Sequence, residues 1–211
     1  MTTTFTLPPI YPLTDTASAK ASHFEQAVEM IDGGAELIQL REKSMSDSEF
    51  LAEARRVVAY ARRRPDVRIL INDRVDIARI SEADGVHLGQ DDLSPYAARE
   101  ILGERAIIGV STHSISQAVA ALKMPVDYIA VGPVFPTRTK TDHESVIGLD
   151  GIKEIRAVIG QFPLVAIGGI TANALPDVFA AGADAAAIIS EITAARSIRS
   201  AVEQLIQLAK R

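Results

Sequence analysis

The sequence predicts a (β/α)8 barrel, in which eight parallel strands close into a ring and a helix follows each strand. Three observations predict this fold. Short apolar runs recur eight times, each followed by a polar or glycine-containing turn and then by an amphipathic stretch. The runs are continuous rather than alternating, as expected of parallel strands that are buried on both faces. They begin about 25 residues apart on average, which is the length of a short βα unit.

The strands are predicted in chain order from the apolar run that begins each unit. They cover residues 10–14, 37–41, 69–72, 86–89, 107–111, 128–132, 164–168 and 186–190. Because no proline- or serine-rich linker interrupts the eight units, we expect one barrel domain over residues 1–211. The alternative is an open doubly wound sheet. That fold usually has a glycine-rich fingerprint after its first strand, and residues 11–15 contain no glycine.

Apolar spacing and N-terminal caps predict the helices between the strands. The second helix begins at a capping box over residues 46–49, and apolar residues then recur at helical spacing. Residues 114–117 offer a similar cap for the fifth helix. We expect the third helix at residues 75–83 and the last helix at residues 198–209.

Composition and charge exclude several classes of protein. The 211 residues carry a net charge of −5, with 47% hydrophobic residues, which is typical of a globular chain with a sizeable core. The absence of cysteine excludes disulfides and thiolate chemistry, and four histidines leave little material for a multi-histidine zinc site. The acidic balance argues against a nucleic-acid partner, and no apolar run approaches the ~18 residues that cross a membrane. The first ten residues do not resemble a signal peptide, so we expect a cytoplasmic protein, and a homo-oligomer stays open.

Polar residues concentrate directly after the predicted strands, where a barrel has its active site. We call these strand ends, together with the loops that follow them, the rim. The candidate residues of the rim are Gln39, Leu40, Arg41, Glu42, Lys43, Asn72, Asp73, Asp91, Asp92, Ser111, His113, Thr137, Arg138, Thr139, Lys140, Gly168, Gly169, Ile189 and Ser190. Residues 138–148 form its longest polar loop and are the candidate for a mobile lid.

Two carboxylates of the rim are candidate metal ligands. Asp73 and Asp92 follow the neighbouring third and fourth strands, so they can share one Mg²⁺ with water and phosphate oxygens. Asp91 competes with Asp92 for the inward position. The alternative role of these aspartates is to cap the following helices, which Asp does well.

Three cations lie at strand ends of an otherwise acidic protein. Arg41, Lys43 and Lys140 can together neutralise a diphosphate, Arg through paired hydrogen bonds and Lys as a point charge. The alternative for each is a solvated surface charge. Gln39 and Asn72 can hydrogen-bond a heterocycle or a diphosphate, or they satisfy backbone groups at the strand ends.

The ends of the last two strands are candidates for a phosphate site. Gly168 and Gly169 allow the backbone to approach an anion closely, and the loops after strands 7 and 8 often bind phosphate in this fold. Ile189 and Ser190 add an amide and a hydroxyl. The alternative is a tight turn followed by a serine cap.

The four histidines have different predicted roles. His113 directly follows the fifth strand and is a candidate acid or base. His87 lies inside the fourth strand and is expected in the barrel wall. We expect His23 and His143 at the surface. No Ser-His-Asp set and no covalent lysine stands out.

Taken together, these motifs resemble the thiamine-phosphate synthase family. The matching stretches cover nearly the whole chain in order: 11–15, 39–43, 72–76, 84–93, 109–113, 132–140, 166–170 and 189–190. The resemblance implies a (β/α)8 barrel and a Mg²⁺-dependent transferase. In the implied reaction, hydroxymethylpyrimidine diphosphate loses pyrophosphate through a carbocation-like intermediate, and the nitrogen of thiazole phosphate takes the methylene carbon.

The resemblance also implies a role for each candidate residue. Residues 39–43, Asn72, Ser111 and Lys140 would bind the pyrimidine diphosphate, and Asp73 and Asp92 would bind the metal. Thiazole phosphate would be held by Thr137, Arg138, Thr139, Gly169, Ile189 and Ser190. The catalytic residues would be Arg41, Lys43, Ser111 and Lys140, of which Arg41, Lys43 and Lys140, together with Mg²⁺, would stabilise the departing pyrophosphate.

Two other functions stay open from the sequence. Thiazole tautomerases resemble the same family and use a histidine at the end of the fifth strand, which is the position of His113 here. They tend to lose the Arg-Glu-Lys set, the metal aspartates or the threonine-rich loop, and this chain has all three. The third reading is a non-catalytic barrel that binds thiamine intermediates.

Overall fold

Eight parallel strands form a closed barrel in chain order, which confirms the predicted fold. The structure is a computed structural model that describes residues 6–137 and 145–210. Its strands are β1 (Ile10–Thr14), β2 (Leu37–Leu40), β3 (Arg68–Asn72), β4 (Gly85–Leu88), β5 (Ile107–Thr112), β6 (Tyr128–Val131), β7 (Leu164–Ile167) and β8 (Ala185–Ile188). The ring is closed where Ile10 of β1 pairs with Ala186 of β8.

A helical segment follows every strand and covers the outside of the barrel. The helices are α1 (His23–Asp32), α2 (Asp47–Ala61), α3 (Val75–Ser81), α4 (Pro95–Leu102), α5 (Ile115–Ala121), α6 (Gly148–Ile159), α7 (Leu175–Ala180), α8 (Ser190–Thr193) and α9 (Ile198–Ala209). Helix α3 ends two residues earlier than predicted, because Glu82 adopts a left-handed conformation with φ of 56°. In the described part of the chain, no helix is both long and apolar enough to span a membrane.

Several strands are shorter than the apolar runs that predicted them. Strands β2, β4, β6, β7 and β8 end one or two residues before the predicted positions. The residues that follow leave the hydrogen-bonded ladder and turn into the loops of the rim. Arg41, Gly132 and Gly168 are therefore loop residues.

Alternate strand residues point into the barrel, and this alternation brings polar side chains inside. In β2, Gln39 faces the interior, whereas Leu40 packs outward into the core between the strands and the helices. The same alternation turns Asn72, His87 and Ser111 inward at the carboxyl ends of β3, β4 and β5. The order of apolar and polar residues in the strands therefore determines which groups the rim can present.

A hydrogen-bonded network crosses the interior of the barrel below the rim. The hydroxyls of Tyr11 and Tyr128 lie 3.0 Å apart, and the amide nitrogen of Gln39 donates to Tyr11 at 2.7 Å. Tyr128 also bonds Nδ1 of His87 at 2.9 Å. Gly109 makes room for the Tyr128 ring, because a Cβ at position 109 would lie 2.0 Å from the ring carbon Cζ. Burial raises the pKa of both phenols, so they are neutral hydrogen-bonding groups.

Candidate functional site

A cavity of 1160 Å³ opens at the carboxyl ends of the strands, where the sequence predicts the site. The predicted residues that line it are Gln39, Arg41, Lys43, Asn72, Asp73, Asp91, Asp92, Ser111, His113, Thr137, Gly168, Gly169, Ile189 and Ser190. Leu40 and Glu42 are not among the lining residues, because their side chains lie behind β2 and its loop. Arg138, Thr139, Lys140 and His143 lie outside the described residues, as does most of the predicted lid.

The two described cations of the predicted diphosphate site each face a carboxylate. Nη1 of Arg41 lies 3.4 Å from Oδ1 of Asp15, and both side chains are about one-tenth exposed. Nζ of Lys43 lies 2.6 Å from Oδ2 of Asp73 and is considerably more exposed. Arg41 is thus held in place within the rim, whereas Lys43 reaches across it from the loop after β2 to the end of β3.

The carboxyl groups of Asp73 and Asp92 are neighbours. Two local features place them, the backbone conformation of Asp73 and a hydrogen bond to Asp92 from the backbone of Gly89. Asp73 has a left-handed backbone with φ of 62°, which is uncommon for a residue other than glycine. Oδ2 of Asp92 accepts a 2.6 Å hydrogen bond from the N–H of Gly89. Burial raises the pKa of Asp92 and the Asp73 carboxyl raises it further, while the Gly89 N–H acts in the opposite direction. Two like charges are therefore held together at an energetic cost.

This pair fits a magnesium ion. A divalent cation between two adjacent carboxylates relieves the repulsion that raises the pKa of Asp92. No cluster of three or more His, Cys, Asp or Glu suited to a metal occurs in residues 6–137 and 145–210. Mg²⁺ is commonly bound by one or two carboxylates and keeps its other positions for water and substrate phosphates. Of the two candidates for the second ligand, Asp92 is the one that lies beside Asp73.

Uncharged polar groups line the deeper part of the cavity. Gln39, Asn72 and Ser111 are all less than one-tenth exposed. Oγ of Ser111 lies 2.8 Å from Nε2 of His87, which itself lines the cavity. These groups can offer hydrogen bonds to a flat heterocycle.

The opposite side of the rim contains a tight double-glycine turn. Gly168 and Gly169 both have positive φ, of 102° and 63°, and a Cβ on Gly169 would lie 2.6 Å from the carbonyl oxygen of Pro136. Only glycine fits this double turn, which brings the backbone against the cavity. Ile189 and Ser190 line the same side, at the end of β8. The phosphate site predicted from the Gly-Gly pair needs such a close backbone approach, and the site itself stays a prediction.

His113 lines the cavity with a defined orientation. Its Nδ1 lies 2.6 Å from the carbonyl oxygen of Gly132, and its backbone N–H donates to Oε1 of Gln117. Because a carbonyl oxygen only accepts hydrogen bonds, Nδ1 carries the hydrogen and Nε2 is left as an acceptor. The imidazole can therefore take up a proton through Nε2.

His23 is fully buried, so the prediction of a surface position for it is wrong. It begins α1 and lies beside Thr14 and Glu42. The sequence contains a signal that was missed, because Ser22 and Glu25 form a capping box that turns the first residue of α1 toward the barrel. The contact with His23 also explains why Glu42 does not line the cavity, because Nε2 of His23 holds the Glu42 side chain behind the loop.

Comparisons with known proteins agree with one another. A family model described as thiamine monophosphate synthase matches residues 10–192. The thiamine-phosphate synthase of Chloroflexus aurantiacus is 41% identical over 197 residues, which cover 93% of this chain and 90% of the relative. That of Methanospirillum hungatei is 42% identical over 200 residues, covering 94% and 96%. The solved structure of a thiamine phosphate pyrophosphorylase from Pyrococcus furiosus has a TM-score of 0.87 and 34% identity, and the match covers 96% of each chain.

Proposed function

The chain belongs to the thiamine monophosphate synthase family and is a transferase that makes thiamine phosphate, and we propose that it does so by joining hydroxymethylpyrimidine diphosphate to thiazole phosphate at the rim. The observation that carries the proposal is one cavity with cations and adjacent carboxylates on one side and a double-glycine turn on the other. Arg41, Lys43 and the Asp73–Asp92 pair lie on one side, and the Gly168–Gly169 turn lies on the other. The strand order places β3 and β7 opposite each other in the ring, so two phosphorylated substrates can face one another.

The first step is the departure of pyrophosphate. The bond between the methylene carbon and the diphosphate oxygen breaks, and its electron pair leaves with the oxygen. Negative charge grows on the leaving group, where Arg41 and Lys43 are placed to stabilise it. Lys140 belongs to the same proposed set by its position in the sequence. Positive charge on the methylene carbon is delocalised by the aminopyrimidine itself.

Asp73 and Asp92 would hold Mg²⁺, which when bound would neutralise part of the diphosphate charge. The chain's own contribution there is to keep two carboxylates adjacent and to bring Lys43 to within 2.6 Å of one of them. The positive charge of Lys43 offsets part of the negative charge of the pair before any ion or substrate arrives.

The second step forms the new bond without a protein nucleophile. The ring nitrogen of thiazole phosphate donates its lone pair to the methylene carbon, and no proton needs to move. The chain's part is to position the two substrates and to exclude water that would trap the cation. The backbone at Gly169, with Ile189, Ser190, Thr137, Arg138 and Thr139, is proposed to hold the thiazole phosphate, and Gln39, Asn72 and Ser111 the pyrimidine.

The decisive experiment is pyrophosphate release from the purified protein. With both substrates and Mg²⁺ we expect thiamine phosphate and pyrophosphate in equal amounts, and with either substrate alone we expect neither. Release that is unchanged by removal of Mg²⁺ would reject the metal role. Metal-independent isomerisation of a thiazole, lost in His113→Ala, would identify the tautomerase alternative. Saturable binding without turnover would identify a non-catalytic binding protein.

A cytoplasmic location, a possible second copy as partner and the lack of a nucleic-acid partner stay predictions of the sequence.

A further inference from the structure

Glu42 lies between Arg41 and Lys43 in the sequence, but its side chain points away from the cavity that these two cations line. Arg41 and Lys43 face the cavity, whereas the Glu42 side chain is 4% exposed and lies behind the loop that joins β2 to α2. We infer that Glu42, together with His23 and Thr16, is a positioning residue that sets the conformation of this loop and so places Lys43 for the diphosphate. The inference rests on the proposed use of Lys43 in the reaction.

The Glu42 carboxylate receives hydrogen bonds from the whole beginning of the loop. Its Oε1 accepts from the backbone N–H groups of Lys43, Ser44 and Met45, at 2.7, 2.5 and 3.1 Å, and from the hydroxyl of Ser44 at 2.9 Å. Three successive N–H groups that converge on one oxygen determine the backbone path of the loop. These N–H groups are thereby turned away from the cavity, so they are not available to bind a substrate phosphate.

The second oxygen anchors the carboxylate to the neighbouring elements. Oε2 lies 2.9 Å from the hydroxyl of Thr16, in the loop after β1, and 2.9 Å from Nε2 of the buried His23. A carboxylate only accepts, so Nε2 of His23 carries a hydrogen and donates it. On its other side, Nδ1 of His23 lies 2.6 Å from the hydroxyl of Thr14 in β1. The loop is therefore tied through Glu42 to β1 and α1.

The charge state of Glu42 agrees with this arrangement. Burial raises the pKa of its carboxyl, but hydrogen bonds from Ser44, His23, Met45 and Thr16 outweigh burial, so the pKa lies far below its ordinary value. Glu42 is an anion throughout the physiological pH range. An anion that already has six donors has little capacity left for a ligand, which argues for a structural action on Lys43 rather than direct contact with substrate.

Two variants of Glu42 test its effect on the loop: one removes the carboxylate completely, and the other keeps one of its oxygens. Glu42→Ala leaves three backbone N–H groups without their acceptor, so the loop loses its conformation. Glu42→Gln keeps one oxygen that can accept from the loop N–H groups. Its NH₂ group can donate to the Thr16 hydroxyl and to Nε2 of His23, if these two groups act as acceptors instead of donors. The matched control is Glu53→Ala, because Glu53 is also mostly buried and accepts a backbone N–H, that of Phe24, but it lies on α2 away from the rim.

The experiment measures binding of two probes by calorimetry, Mg²⁺-pyrophosphate and thiazole phosphate. We expect Glu42→Ala to weaken pyrophosphate binding by at least about tenfold and Glu42→Gln by about threefold, with thiazole phosphate unchanged within about twofold. Glu53→Ala should change neither affinity. If Glu42→Ala does not fold, the threefold effect of Glu42→Gln decides.

Two results would overturn the inference. One is a folded Glu42→Ala or Glu42→Gln protein that binds pyrophosphate as tightly as the wild type does. The other is an equal loss of affinity for both probes, which would indicate general destabilisation. If the wild-type protein binds neither probe, it is the proposed function that fails, so the two failures are distinguishable.

Discussion

Replacing Asp92 with asparagine should stabilise the ligand-free protein while reducing its response to Mg²⁺. Burial and the neighbouring Asp73 carboxyl raise the pKa of Asp92 above its ordinary value of 3.8, so the folded state binds this proton more tightly than the unfolded state does. The resulting stabilisation is fully present below pH 3.8 and is lost as the pH rises through the raised pKa. At neutral pH the charged Asp92 therefore destabilises the fold, and the substitution Asp92→Asn removes that charge.

Removal of the Asp92 charge stabilises the ligand-free variant, whereas bound ligand stabilises the wild type, and the two free-energy changes have comparable sizes. Asp92 is exposed, so solvent screens its repulsion with Asp73. Removing the Asp92 charge should therefore raise the free energy of unfolding by no more than about 1 kcal/mol, or the melting temperature by about 2–4 °C. The oxygen of the new amide can keep the hydrogen bond from Gly89. A ligand at ten times its Kd stabilises the wild type by about 1.4 kcal/mol, which corresponds to about 3–6 °C. The order of the two melting temperatures should therefore reverse when Mg²⁺ and pyrophosphate are added.

The assay is a pair of thermal melts, one with a chelator and one with Mg²⁺ and pyrophosphate, at neutral pH and again near pH 4. The control is Asp91→Asn, which removes the adjacent carboxylate of the same loop and should keep the full ligand-induced shift. The stability difference between wild type and Asp92→Asn should shrink toward pH 4. A ligand-free Asp92→Asn protein that melts below the wild type, or one that shows the wild-type shift with ligand, would refute the reasoning.

Three further substitutions test other parts of the site. Tyr128→Phe removes a buried hydroxyl that both Tyr11 and His87 contact, so urea unfolding should show a loss of about 1–3 kcal/mol. Gly169→Ala places a Cβ 2.6 Å from a backbone oxygen at a φ of 63°, so calorimetry should show at least about tenfold weaker binding of thiazole phosphate. His113→Gln should keep synthase turnover within about threefold of wild type, because the proposed reaction needs no protein base, and a loss of more than about tenfold would contradict this.

The fold could be predicted from the sequence because parallel strands buried on both faces leave a direct signal. Most residues of each strand are apolar, and the predicted bounds of all eight strands lie within two residues of the observed ones. The ends were less accurate, because apolar character does not stop where the ladder stops. Helix α3 ends at a left-handed Glu82, and that residue type gives no indication of a stop.

The site could be predicted in outline because polar residues follow the strands at one end of the barrel. The alternation of inward and outward residues in β2 accounts for Gln39 in the cavity and Leu40 behind it, whereas Arg41, Glu42 and Lys43 lie in the loop beyond the strand. Glu42 was grouped with its neighbours because sequence proximity does not tell which side of a loop a residue faces. The position of His23 depends on contacts between α1, β1 and the β2 loop, which lie far apart in sequence.

The buried network below the cavity connects the barrel interior to a residue of the rim. Gln39 donates to the Tyr11 hydroxyl, the hydroxyls of Tyr11 and Tyr128 share a hydrogen bond, and Tyr128 shares another with Nδ1 of His87. Nε2 of His87 in turn lies 2.8 Å from Oγ of Ser111, which lines the cavity. Because a neutral imidazole carries one hydrogen, the tautomer of His87 determines whether Ser111 accepts or donates in this contact. Phenylalanine at position 128 would interrupt this series at its centre, so its effect should extend beyond stability to the tautomer of His87 and the orientation of the Ser111 hydroxyl.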